Sequence, residues 1–343
     1  MTTDTERNID HLKAQFRDKR VVHPMIARAR EELMATLNNP IDGQIIMVIG
    51  PPGVGKTTLR QTMVRDLNKA FAAQPDRNPG HIAVAGIELE AFSGGSFNWK
   101  KTRQELLRAL HEPLINKKVM YRQGIQDNAG ILQIDQKLSE NDLGEVVIDT
   151  ITARQPQAMW FDEGQHMTKV KGPRGFQNQM DTIKSLANRS GVPVVLFGAY
   201  EMNVLLELST QLARRTKVIH LPRYRQKHED ASQNIADREA FRQVLLGFQS
   251  ALPFDEKPDL IEHWDYFFSG SLGCIGNLKN WLVQAAGDAL DQNMNTLSRA
   301  IIEKWRRSDD ALYRMLMYIS EDEKTFDKNY SRHQLDALMG LDI

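Results

Sequence analysis

The chain has 343 residues, enough for about two domains at ~150 residues each. Its 41% hydrophobic and 26% charged residues exclude a disordered or collagen-like chain. Forty-four Lys and Arg offset 44 Asp and Glu, so any nucleic-acid surface must come from local segregation of charge rather than from a basic whole. The single cysteine, Cys274, excludes an internal disulfide and a cysteine zinc site, and it fits a reducing compartment. No run reaches the ~18 apolar residues of a membrane span, and the polar start MTTDTERNID lacks the apolar core of a signal peptide. A cytoplasmic location, away from the membrane, is expected.

Residues 1–38 alternate charged and apolar positions. After Pro24, the residues Met25, Ile26, Ala29, Leu33 and Leu37 fall near helical spacing, which predicts a helical opening segment. From Gly43 the pattern changes. Ile45, Ile46, Met47, Val48 and Ile49 form an unbroken apolar run, too short for a helix and suited to a strand buried on both faces. Further runs follow at 81–87, 158–161 and 192–197, with a weaker one at 217–221. Helical patterns separate them at 57–70, 97–114, 144–153, 177–188 and 202–213. This alternation predicts an α/β fold with a parallel five-stranded sheet and helices on both faces. Past Pro222 the strand signals stop, and 237–249, 257–268 and 277–289 read as helices of a smaller domain. The charged tail beyond 308 reads either as a packed helix or as a tether.

One motif stands where its chemistry needs it, after a buried strand and before a helix: Gly50-Pro51-Pro52-Gly53-Val54-Gly55-Lys56-Thr57, followed by Thr58. Its glycines let backbone N–H groups face phosphates, and the helix N-terminus adds a positive dipole end. Lys56 is suited to the β and γ phosphates of ATP, and the Thr57 hydroxyl to Mg²⁺. A second strand, Ala158-Met159-Trp160-Phe161, delivers Asp162 and Glu163. Asp162 suits Mg²⁺, and Glu163 suits a base that deprotonates the water attacking the γ phosphate. His166 is either a link between nucleotide state and neighbouring groups or a solvent-facing side chain.

The phosphate loop, the strand ending in Asp162-Glu163, a further buried strand, an arginine pair and a helical lid together resemble the AAA+ ATPases. Within them the chain is most similar to the TniB/TnsC family of transposition ATPases. Four stretches carry that likeness: His23-Pro24; Asp162-Glu163-Gly164-Gln165-His166; Val192-Pro193-Val194-Val195-Leu196-Phe197-Gly198-Ala199; and Ser269-Gly270-Ser271-Leu272-Gly273-Cys274-Ile275-Gly276, leading into Asn277-Leu278-Lys279. The resemblance implies a division into a helical segment (1–42), an AAA+ nucleotide-binding domain (43–222), a helical lid (223–308) and a tail (309–343). It also implies that Arg215, or failing it Arg214, is an arginine finger acting on a neighbouring subunit's nucleotide, and that Lys279 stands at the sensor-2 position of the lid. At the sensor-1 position, after Gly198, this chain has Ala199 where the family usually places a polar residue.

Residues 93–122 hold seven basic side chains (Lys100, Lys101, Arg103, Arg108, Lys117, Lys118 and Arg122) against two acids, Glu105 and Glu112. Phe97, Trp99 and Tyr121 are interspersed. Such a stripe suits sequence-independent phosphate contacts. In the resembled family this region follows the DNA backbone, which makes Lys100, Lys101, Arg103, Lys117, Lys118 and Arg122 candidate DNA contacts; a solvated helix face is the plain alternative. An acid-free cluster running from Arg214 to Lys227 reads as a subunit contact. The resemblance thus implies an ATPase, using ATP and Mg²⁺, that assembles as a ring or filament on duplex DNA, selects a target and recruits a transposase with a TniQ-type adaptor. A helicase loader or replication initiator is the alternative within the superfamily, and an ATP-gated scaffold with negligible turnover is the alternative from another class.

Overall fold

The structure, a computed structural model, describes residues 4–91, 97–113, 115, 120–126, 132–135, 139–169, 172–204, 214–228, 230–327, 336–337 and 339. The chain divides into two compact units. One comprises Arg28–Gly50 and Lys56–Ile219; the other comprises Met1–Ala27, Pro51–Gly55 and His220–Ile343. These are not the four consecutive stretches expected. Residues 28–42 pack with the sheet, while residues 4–27 and the described part of the tail pack with the C-terminal helices.

In the sheet unit, five parallel strands take the order β2-β5-β6-β1-β7, with β1 Ile45–Ile49, β2 Val84–Glu88, β5 Ala158–Asp162, β6 Val194–Gly198 and β7 Thr216–His220. The three inner strands, β5, β6 and β1, are buried at every position. That is why they read as unbroken apolar runs, whereas β2 and β7 at the edges are part-exposed, and the run of β7 was the weaker one. β6 pairs with β1 from Ile45↔Val194 to Ile49↔Gly198, and it pairs with β5 on its other side.

Helix α2 (Pro24–Asn38) starts with proline at its first position, where the missing N–H costs nothing. It is tied to the unit by Arg30–Asp66 at 2.7 Å and by Lys217–Glu32 at 2.7 Å. Helix α3 (Lys56–Ala72) buries Leu59, Met63 and Leu67, one residue per turn. α4 (Trp99–Ala109) is capped by Asn98, whose side chain accepts the Lys101 N–H at 3.0 Å. α5 (Glu140–Arg154) opens with a Ser139/Asp142 capping box, and α6 (Gly172–Ser190) follows β5. Between α4 and α5 the structure adds an antiparallel hairpin, β3 Met120–Gln126 and β4 Leu132–Asp135, where no strand was predicted. Most of the helix predicted at 202–213 lies outside the described residues.

The helical unit contains α1 (Asp4–Asp18), α7 (Ala231–Ala251), α8 (Trp264–Ser271), α9 (Ile275–Asp291), α10 (Arg299–Trp305) and α11 (Asp309–Asp327). Phe16, Phe241, Leu245, Phe248, Phe267, Leu278 and Leu282 are among its core residues. Trp281 lies in the same core and donates its indole N–H to the Ile302 carbonyl at 2.8 Å. Much of the tail is therefore a packed helix. α11 is anchored by a two-bond pair between Arg223 and buried Glu323, 3.1 Å for each bond, and by His220 stacked on Phe326 at 4.2 Å. No helix among the described residues is long and apolar enough to cross a membrane.

Candidate nucleotide site

The site is built at the carboxyl edge of the sheet, where open α/β sheets bind ligands. β1 ends at Ile49 and the chain turns at Gly50, whose N–H reaches the Gly198 carbonyl at 3.4 Å. Gly53 at φ +76° and Gly55 at φ +113° hold backbone that side-chain-bearing residues rarely adopt, so the turn depends on glycine. Lys56 donates to the Gly50 carbonyl at 2.7 Å, spanning the mouth of the loop. Thr57 is exposed and Thr58 half-buried on the first turn of α3. In the helical unit, residues Pro51–Gly55 are held by α9: Gly276 donates to the Gly53 carbonyl at 2.6 Å, and a Cβ on Gly53 would run into the Asn277 side chain.

Asp162, at the end of β5, is buried, with both carboxylate oxygens engaged. Oδ2 pairs with Arg60 Nε at 2.8 Å and Oδ1 accepts the Glu163 N–H at 3.0 Å. Glu163 sits at φ +55°, ψ +39°, a left-handed conformation. Its carboxylate accepts a hydrogen bond from the Gln165 side chain. His166 is not solvent-facing: Nδ1 lies 2.6 Å from the Leu89 carbonyl, which can only accept, so Nδ1 carries the proton. Leu89 in turn donates to the Asp162 carbonyl at 3.0 Å, locking the ends of β2 and β5 together.

Thr57 and Asp162 offer hydroxyl and carboxylate oxygens, the donor type Mg²⁺ prefers, and a cation that keeps most of its waters needs only one or two of them. The residues fit that ion. Arg60 already offsets the Asp162 charge, so most of the attraction for Mg²⁺ must come from phosphate oxygens.

Arg215 lies at the other edge of the sheet. Its carbonyl accepts the N–H of Ile45, the first residue of β1, and its guanidinium reaches Asn188 at 2.5 Å. Five strand residues at about 3.3 Å each separate that edge from the phosphate loop, so Arg215 cannot serve its own chain's site. Arg214 is exposed beside it. Lys279 is half-buried on α9; burial, and next the nearby Arg20, push it below the usual lysine range.

Of the predicted DNA contacts, Lys100 is exposed. Lys101 pairs with Glu90, and that hydrogen bond raises its pKa. Arg103 departs from the expectation of a solvent-facing cation. Only 17% of its side chain is exposed; it donates to the Glu140 carbonyl at 2.6 Å, pairs with the Glu140 carboxylate at 3.4 Å and lies over Trp99. Burial lowers its pKa, and its charge is spent tying α4 to α5. Lys117, Lys118 and the Arg122 side chain lie outside the described residues. Sequence reasoning missed Arg60, because nothing local links it to a carboxylate 102 positions away, and it passed over Gln165 within the Asp162–His166 stretch.

Residues 41–206 match the AAA domain family, and strand order, phosphate loop and Asp162-Glu163 agree with that match. The fold is AAA+. The AAA+ fold recurs in the ORC2 protein of Aeropyrum pernix, solved in ADPNP–ADP complexes, with a TM-score of 0.54 at 14% identity over 85% of this chain and 70% of that one. It recurs also in Drosophila ORC bound to DNA, with a TM-score of 0.50 at 14% identity over 100% of this chain and 82% of that one. In sequence, the chain is 22% identical over 237 residues to Lon protease 1 of Herpetosiphon aurantiacus, which is 67% of this chain and 26% of that protein. The match thus spans about a quarter of that curated relative's length.

Proposed function

We propose that this chain is a DNA-binding AAA+ ATPase that works as an assembly of its own copies, each nucleotide site being completed by a neighbour. One observation carries the reading: Gly50 and Lys56, the two ends of the phosphate-loop motif, and Asp162-Glu163 share the carboxyl edge of the sheet, while Arg215 stands at the opposite edge. The loop N–H groups and Lys56 hold the β and γ phosphates. Glu163 accepts a proton from water as the water oxygen bonds to the γ phosphorus and the bond to the ADP oxygen breaks. Thr57 and Asp162 would hold Mg²⁺, which would supply positive charge against the phosphates. Arg215 of one copy serves the nucleotide of the next, a contribution worth roughly 10³ to 10⁵ in rate where fingers are known.

Lys100, Lys101, Lys117, Lys118 and Arg122 are the proposed phosphate contacts on duplex DNA; Arg103 is not among them. Two biological settings fit. The Asp162–His166 and Ser269–Lys279 stretches favour a TniB/TnsC-type regulator that selects a transposition target and recruits a transposase through a TniQ-type adaptor. The fold shared with ORC bound to DNA favours an initiator-type ATPase equally well. Capture of a transposase in one case, or of a helicase in the other, distinguishes them.

The test of the shared chemistry is ATP turnover beside binding of a fluorescent ATP analogue. Lys56→Ala is expected to lose nucleotide binding, nucleotide-dependent assembly and DNA binding. Glu163→Gln is expected to keep binding and lose turnover by about 10² to 10⁴, the usual worth of a general base. Turnover at the parental rate in Glu163→Gln removes Glu163 as the base, and absence of turnover in the parent on duplex DNA turns the protein into an ATP-gated scaffold.

A further inference from the structure

The Gln165 side chain makes a hydrogen bond at each end of its amide. Nε2 donates to Oε2 of Glu163, and Oε1 accepts the Ala199 N–H at 3.1 Å. A carboxylate only accepts and a backbone N–H only donates, so these two partners fix which amide atom is which. The planar amide thereby joins the turn after β5 to the residue after β6, two strands that pair from Met159↔Val194 to Phe161↔Leu196.

The surroundings keep this bridge in place. A Cβ on Gly198 would stand 2.8 Å from Gln165 Oε1 and collide with the Met202 sulfur, so only glycine lets β6 end this close to the amide. The Gln165 carbonyl is itself bound by the Thr168 hydroxyl at 2.8 Å. Glu163 needs such holding: a non-glycine residue in left-handed backbone is strained and persists only where its neighbours over-determine it. Ala199 contributes only a methyl group, so its side chain cannot carry a polar contact from β6 to the carboxylate.

We propose that Gln165 is the positioning residue that couples Glu163 to the end of β6, aiming the carboxylate through its amide N–H and tracking Ala199 through its carbonyl. A shift at the end of β6 then moves the donor that orients Glu163. This rests on Glu163 being the base. Two variants separate the two ends of the bridge. Gln165→Ala removes both bonds, whereas Gln165→Glu keeps an acceptor for the Ala199 N–H but replaces the donor facing Glu163 with a second acceptor.

Both variants, with Glu163→Gln and the Glu163→Gln/Gln165→Ala pair, are assayed for turnover, for affinity of a fluorescent ATP analogue and for hydrogen exchange of residues 194–204 in the nucleotide-free protein. Both Gln165 variants are expected to lower kcat by about 10- to 100-fold, the scale of an ångström-sized misplacement, with nucleotide affinity within about threefold of the parent. Exchange accelerates in Gln165→Ala and stays parental in Gln165→Glu. In the Glu163→Gln background, Gln165→Ala adds no further loss, because a residue acting through another is silent once that other is gone. Parental turnover in both Gln165 variants beside an inactive Glu163→Gln overturns the coupling and leaves the base. Additive losses, or nucleotide affinity falling in step with kcat, overturn it in favour of a structural role. Parental turnover in Glu163→Gln overturns the base itself.

Discussion

His23 is a neutral histidine held where a charged one is costly. It is buried in the helical unit, with Nδ1 2.9 Å from the Tyr224 hydroxyl, and Nε2 has no hydrogen-bond partner among the described residues. Burial pushes its pKa from 6.5 down to about 4 and raises that of Tyr224. Because the folded pKa lies below the unfolded one, the unfolded chain takes up the proton first as pH falls. The contribution of His23 to stability is therefore complete above pH 6.5 and drains away between 6.5 and about 4. A depression of this size corresponds to about 3 kcal/mol. His23→Gln is expected to flatten that part of the profile of urea midpoint against pH relative to the parent; parallel profiles would show that His23 is already solvated. The catalytic candidates Lys56, Asp162 and Glu163 were legible in the sequence because motif and flanking elements are local. Arg60, Asn277 and the bridging role of Gln165 were not, because their partners Asp162, Gly53 and Ala199 come from elements distant in sequence.

At the scale of elements, the inner strands were readable for one physical reason: a parallel strand covered on both faces has no polar side, so its apolar run is unbroken. The edge strand β2 was shifted by a few residues, 84–88 against a predicted 81–87, because His81 and Ile82 belong to the turn before it. The helix predicted at 257–268 begins only at Trp264; ahead of it, Asp259 Oδ1 accepts the N–H groups of Ile261 and Glu262 and holds a turn instead. The β3–β4 hairpin was passed over although the sequence carries a turn signal, Asp127-Asn128-Ala129-Gly130, and an alternating Leu132-Gln133-Ile134-Asp135: β4 is only four residues long and β3, MYRQGIQ, does not alternate. α11 was ambiguous in sequence and is decided by its docking. Glu323→Ala would leave the Arg223 guanidinium, 12% exposed, without its carboxylate. A loss of about 3 kcal/mol follows from breaking a buried pair at one partner. Thermal melting together with limited proteolysis of α11 measures it, and a melting temperature equal to the parent's would mean that hydrophobic packing alone holds the helix.

The molecule as a whole has no net charge, and the proposed function places its work in an assembly whose terms the two edges of the sheet would set. A copy offers Gly50, Lys56 and Asp162-Glu163 at one edge and Arg215 at the other. Arg215→Ala protein is therefore expected to bind ATP as well as the parent and to fail in turnover when assembled. Glu163→Gln protein is expected to bind ATP and assemble without turning it over, and it keeps Arg215. The decisive measurement is ATP turnover on duplex DNA of the two variants mixed, with co-assembly verified by fluorescence energy transfer between labelled subunits. The account predicts that each variant alone is inactive and that the mixture regains turnover, because mixed contacts place an intact Arg215 against an intact Glu163. Verified co-assembly with no recovered turnover would contradict it.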